Sequence, residues 1–130
     1  MKDPPPLRIR STHKNLREIL LDHDLASLGD AYVNFIYSLA LTNKNARPTG
    51  AKAKGSTLAE ALRKAGLREQ LPDRMSSHDL ADAAEALMVY GWLQDCITLN
   101  ESVTLLQQNA DIIDGFSKLL ATTKNRIKLP

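Results

Sequence analysis

Residues 25–35 read LASLGDAYVNF. Leu25, Leu28, Tyr32, Phe35, Ile36 and Leu39 recur at spacings of three and four, the period of an amphipathic helix. Inside that pattern stands the pair Gly29-Asp30. A mid-helix glycine costs about 1 kcal/mol against alanine. A carboxylate among core residues costs more unless something pairs with it. The stretch therefore predicts a long helix over 24–43, capped by Asp24.

The rest of the chain extends that helical reading. Residues 13–22 form a short first helix. Residues 44–56, KNARPTGAKAKGS, form a cationic loop broken by Pro48, Gly50 and Gly55. In STLAEALRKAGL, Thr57 and Glu60 have capping-box spacing and Gly66 stands near the C-terminal stop. The connector REQLPDRMS carries one helical turn before Pro72. Ser76 or Ser77 caps a second long helix over 77–95, and Asp79 favours its positive end. Thr98 and Glu101 open a helix to about 108, and a last one runs from about 110 to 123. The expected fold class is all-α, with about six helices in one domain over 1–130, preceded by an extended lead-in (1–12, with Pro4–Pro6) and ending in a basic tail (125–130).

Composition limits the function classes. Aromatic residues make up 5% of the chain, so the core rests on Leu, Ala, Ile and Val. A single cysteine excludes an internal disulfide and a cysteine-based zinc site, and Cys96 is expected as a small core residue. No apolar run approaches the roughly 20 residues of a membrane span. No apolar signal core stands at the N-terminus, and a cytoplasmic location is expected. His13, His23 and His78 show no metal-site spacing, and neither a phosphate loop nor a nucleophile elbow is present. His78 reads as a capping or surface residue able to touch a metal-bound water or a phosphate. Tyr90 and Trp92 read as core or interface residues.

Charge is segregated. Residues 44–74 hold eight Lys and Arg against three acidic residues, whereas 75–117 hold seven acidic residues and no Lys or Arg. Such asymmetry suits a polyanion-binding surface beside an acidic patch, or a solvated surface whose charges happen to separate.

The second long helix repeats the puzzle of the first. In LADAAEALMVYGWL, Asp82 and Glu85 share one face, with nothing basic on that helix to relieve them. Small neighbours let another helix come close. If the two long helices cross near Gly29 and Ala83, then Asp30, Asp82 and Glu85 converge. A divalent cation would offset their repulsion, and oxygen-only ligands favour Mg²⁺ or Mn²⁺ over zinc. Asp79 would be an outer member. The plainer alternative is three carboxylates on solvated helix faces.

These two motifs, SLGDAYVNF and LADAAEALMVYGWL, in this order and about 50 residues apart, resemble the catalytic domain of ribonuclease III. The resemblance spans roughly residues 14–108. It is nearest to compact, Mini-III-like or archaeal-type members without a double-stranded-RNA-binding domain. It implies a homodimeric endoribonuclease that hydrolyses phosphodiesters in double-stranded RNA, such as structured rRNA or other RNA precursors. It also implies one or two Mg²⁺ ions (Mn²⁺ substituting) held by Asp30, Asp82 and Glu85, activating a water and stabilising the leaving 3′-oxygen. Lys52, Lys54, Arg63, Lys64 and Arg68 would contact the RNA backbone. Met88 to Trp92 and the first long helix would form the dimer interface. One position departs from the pattern. Ala26 stands where the family usually has a glutamate four residues before Asp30, with Asp79 or Glu18 as possible replacements. That departure keeps open a catalytically inactive RNA-binding or ribosome-associated module of the same fold. A protein-interaction domain and a helical nucleotide hydrolase are the remaining readings.

Overall fold

The computed structural model describes residues 11–129, and Pro4–Pro6 of the expected lead-in and residue 130 of the tail lie outside the described residues. The all-α expectation is borne out. Six α-helices are present among the described residues: α1 (Leu16–Leu20), α2 (His23–Asn45), α3 (Gly55–Lys64), α4 (Ser77–Leu93), α5 (Leu99–Gln108) and α6 (Ile112–Arg126). A 3₁₀ turn, Arg68–Gln70, precedes Pro72 where one helical turn was expected.

Capping chemistry sets most boundaries. Ser76 and Asp79 form a full capping box on α4, and Thr98 and Glu101 form another on α5. Two expectations are corrected. Asp22, not Asp24, caps α2, because its Oδ1 accepts from the amides of Asp24 and Leu25, both at 3.0 Å. Thr57 and Glu60 do not cap α3, which begins earlier, at Gly55, with Lys54 as its N-cap and no side-chain cap. Gly66, just beyond α3, adopts φ 77°, the left-handed turn expected of it.

The two long helices form the centre. α2 packs most extensively on α4, α3 covers α4 and α6, and α5 fits between α2 and α6. α4 is buried almost all round because so much of it is alanine, leucine and valine. Leu87, Met88, Phe116 and Leu120 are at most 1% exposed and belong to one continuous core. Each such side chain contributes roughly 1.5–3 kcal/mol by leaving water. Tyr32 of α2 stacks on Trp92 of α4 at 5.3 Å, and its hydroxyl shares a hydrogen bond with Ser102.

Two further expectations change. Met88, Val89 and Tyr90 are 1%, 0% and 3% exposed, so these side chains are spent inside the chain and do not face a second copy. Cys96 lies half-buried after α4 rather than in the core. Of the basic tail, 125–126 complete α6, where Arg126 pairs with Glu101 at 2.7 Å.

Candidate active site

α2 and α4 cross at Gly29. A Cβ there would fall 2.5 Å from the carbonyl carbon of Glu85 and closer still to its oxygen. The helix-weakening glycine is therefore what lets the two backbones touch. The contact falls at Glu85 rather than at the expected Ala83. The pairs 29–85 and 32–92 show the helices passing each other in the same sense. Their N-terminal halves therefore lie side by side.

A cleft of about 440 Å³ opens along that seam. Asp30 lines it from α2, Asp82 and Glu85 line it from α4, and Lys52 reaches it from the loop before α3. The three carboxylates expected to converge thus share one cavity wall. Glu85 is 6% exposed and hydrogen-bonds with Asp30. Burial pushes its carboxyl up to about 8, with the Asp30 hydrogen bond and the charges of Asp30 and Asp82 adding, and Lys52 pulling it back. At neutral pH Glu85 therefore keeps its proton, facing Asp30. Asp82 stands beside it, half-exposed, with Nε2 of His78 at 3.6 Å from its Oδ2.

The chemistry of this donor set fits a hard divalent cation. It is all oxygen, it lies on an open cleft, and its like charges are relieved by a proton whose place a cation can take. Among the described residues, no three His, Cys, Asp or Glu side chains are already arranged to hold a metal ion. Ala26 lines the cleft where a further carboxylate would help to close such a cradle.

The other expected residues fall elsewhere. Asp79 lines a neighbouring cavity with Asp82, and its carboxylate accepts from the Ser76 amide in the capping box. Glu18 accepts from the Lys14 amide outside the cleft. Neither replaces the glutamate absent at Ala26. Lys54 is exposed beside Lys52. Arg63 pairs with Glu60 at 3.2 Å, and Lys64 pairs with Asp114 of α6. Arg68 donates to the carbonyls of Leu71, Pro72 and Asp73, so its guanidinium braces the connector.

Sequence reasoning missed His23 and Ser27, which also line the cleft; His78, read as a capping or surface residue able to touch a metal-bound water or a phosphate, lines it too. The signal was present. Positions 23, 26, 27 and 30 read His, Ala, Ser, Asp, and positions 78, 81, 82 and 85 read His, Ala, Asp, Glu. Both sets share a 0-3-4-7 spacing, one stripe on each helix.

The family model for ribonuclease III matches residues 23–127. No curated protein matches the chain. No helix among the described residues is long and apolar enough to cross a membrane.

Proposed function

This chain belongs to the ribonuclease III family, and from that premise we propose that it is an active endoribonuclease that hydrolyses phosphodiesters in double-stranded RNA. The observation that carries the reading is the cleft shared by Asp30, Asp82, Glu85 and Lys52, with the Glu85 carboxyl driven up to about 8. A buried Glu85 carboxyl facing the exposed Asp30 carboxylate across the cleft is suited to a positive charge between them.

Asp30 and Glu85 would hold a Mg²⁺ or Mn²⁺ ion, with Asp82 completing the set. When bound, the ion supplies Lewis-acid activation of a water and neutralises charge on the phosphoryl oxygens. The protein's own part is positioning. Gly29 fixes the distance between Asp30 and Glu85. Lys52 attracts a phosphate to the mouth of the cleft. An A-form duplex is read by shape, phosphates and 2′-hydroxyls, so low sequence specificity is expected. A homodimer would present two such clefts to the two strands. Leu28 and Phe35, seven residues apart on α2 and 43% and 53% exposed, are apolar residues that a second copy could cover.

A second reading has its own support. Ala26 and the lack of a ready three-ligand arrangement among the described residues favour an RNA-binding module that no longer cleaves. One experiment separates the two. Purified protein is incubated with long double-stranded RNA and Mg²⁺ or Mn²⁺, beside the Asp82→Asn, Glu85→Gln double variant. Cleavage by the wild type alone supports the nuclease. Binding without cleavage by either metal supports the module. Equal cleavage by both proteins removes Asp82 and Glu85 from the site.

A further inference from the structure

The loop between α2 and α3 is held in an unusual way. Residues 49–53 run extended along α2, and alternate residues are hydrogen-bonded by side chains spaced four apart on that helix. Thr42 Oγ1 accepts from the Thr49 amide at 2.9 Å and donates to the Thr49 carbonyl at 3.2 Å. Ser38 Oγ does the same for Ala51, at 2.9 and 3.0 Å. Asn34 Oδ1 accepts from the Ala53 amide at 2.8 Å, while its Nδ2 donates to Asp30 at 3.4 Å. The match is geometric. Four helical residues rise about 6 Å, and two extended residues span about 6.6 Å.

The consequence is a strict alternation. Residues 49, 51 and 53 are covered, and Gly50, Lys52 and Lys54 are exposed. At the far end, Ala46 caps α2 with φ 55°, and Lys44 before it and Arg47 after it are both exposed. Lys44, Arg47 and Lys54 have no ion pair among the described residues. By contrast, Arg63, Lys64 and Arg126 each hold a carboxylate, and Arg68 holds three carbonyls. Lys52 reaches the cleft, where its charge acts on Glu85.

Resting on the RNA reading above, we propose that this strap is a pre-ordered phosphate track. Lys44, Arg47 and Lys52 receive successive phosphates of one RNA strand and lead it into the carboxylate cleft, with Lys54 next along the same exposed edge. Ser38 and Thr42 are positioning residues that hold the track in place. From Arg47 to Lys52 an extended chain covers about 16 Å, enough for several phosphates. A loop already tied down loses little freedom on binding, which is what separates a track from a merely basic loop. The Asn34 amide joins the strap to Asp30, so track and cleft keep a fixed relation.

The test is fluorescence anisotropy with a labelled short RNA duplex, without divalent cation, over a series of KCl concentrations. The Lys44→Gln, Arg47→Gln variant is expected to lower the slope of log affinity against log salt by about two, close to one per lost phosphate contact. The Ser38→Ala, Thr42→Val variant keeps every charge. It is expected to bind about 3–10-fold more weakly with an unchanged slope, as for loss of preorganisation, and Ser38→Thr is expected to bind as the wild type does. An unchanged slope in the charge variant overturns the track. Wild-type affinity in the Ser38/Thr42 variant, at an unchanged melting temperature, overturns the positioning role. Should the wild type show no salt-dependent RNA binding at all, the proposed function falls together with the track. That outcome is distinct from a binding wild type with indifferent variants.

Discussion

Gly29 of α2 rests directly on the main-chain carbonyl of Glu85 in α4, with no room for a Cβ between them. The two cleft-lining stripes are therefore registered by backbone contact, not by side chains that can shift rotamer. A Gly29→Ala substitution gains helix propensity of about 1 kcal/mol. It loses far more, because the obstacle is backbone on a buried helix. We expect a net loss of about 2–4 kcal/mol in urea unfolding, in the range of overpacked core sites. Gly50→Ala is the control. A Cβ at 50 meets nothing within 4 Å, and its backbone is not in the left-handed region, so stability is expected within about 0.5 kcal/mol of the wild type. Equal effects at both positions would refute the packing argument.

The raised Glu85 carboxyl makes stability depend on pH with a definite sign. Its ordinary value is 4.5, and in the fold it lies at about 8. Below 4.5 the group is protonated in both states. Between 4.5 and 8 the unfolded chain releases the proton while the fold keeps it. Stability therefore falls as pH rises through that window and levels off above it. The loss is on the order of a few kcal/mol. Glu85→Gln removes the titrating group, so it is expected to be more stable than the wild type at pH 8 and nearly equal at pH 4. Millimolar Mg²⁺ or Mn²⁺ at pH 8 is expected to raise the wild-type melting temperature and leave that of Glu85→Gln almost unmoved. A wild type whose stability is flat from pH 5 to 8 would contradict the account.

The helices and the pairing of the two long ones were legible because each signal is local or periodic. The capping boxes at Ser76–Asp79 and Thr98–Glu101 satisfy backbone amides within one turn, so tertiary context does not override them. Gly29 announced a close approach because nothing else excuses a glycine at mid-helix. What failed depended on where helices begin and on how side chains fold back in three dimensions. Thr57 and Glu60 have the right spacing, but α3 starts at Gly55, one turn earlier than their box requires. Lys64 and Arg68 read as free cations because Asp114 and the carbonyls of 71–73 cannot be assigned to them from spacing, whereas the Glu60–Arg63 pair, three residues apart, was open to a closer reading. The strap was invisible for the same reason. Asn34, Ser38 and Thr42 are ordinary polar residues on a helix face until the chain returns over them.

Arg68 illustrates how a structural cation differs from an RNA-binding one. Its guanidinium donates to Pro72 O at 2.8 Å and to Asp73 O at 2.7 Å, fixing the turn that leads into α4. Arg68→Ala leaves those carbonyls to water and frees the connector. The expected cost is about 1–3 kcal/mol in denaturant unfolding, as for hydrogen bonds from a charged donor. The salt slope of RNA binding is expected to change by less than 0.5, because no phosphate contact is lost. A slope reduced by one at unchanged stability would return Arg68 to the RNA surface.

Ala26 is the position at which the cleft can be completed by substitution. It is 8% exposed and lies one turn before Asp30, on the same stripe. Ala26→Glu adds a fourth carboxylate beside three that already repel one another. Without a cation this is expected to lower stability at pH 8 by about 1–3 kcal/mol, the scale of an unpaired, partly buried charge. With a cation the sign reverses, since an added charged ligand tightens a hard-metal site. The melting-temperature gain on saturating Mn²⁺ is expected to be larger in Ala26→Glu than in the wild type, and the half-saturating concentration at least about tenfold lower, on the scale of a single ligand's effect on metal affinity. Cleavage of double-stranded RNA should then reach its maximum at lower Mn²⁺. If the added glutamate destabilises the fold equally with and without Mn²⁺, the carboxylate cleft is not a cation site, and Asp30, Asp82 and Glu85 lose their assigned role.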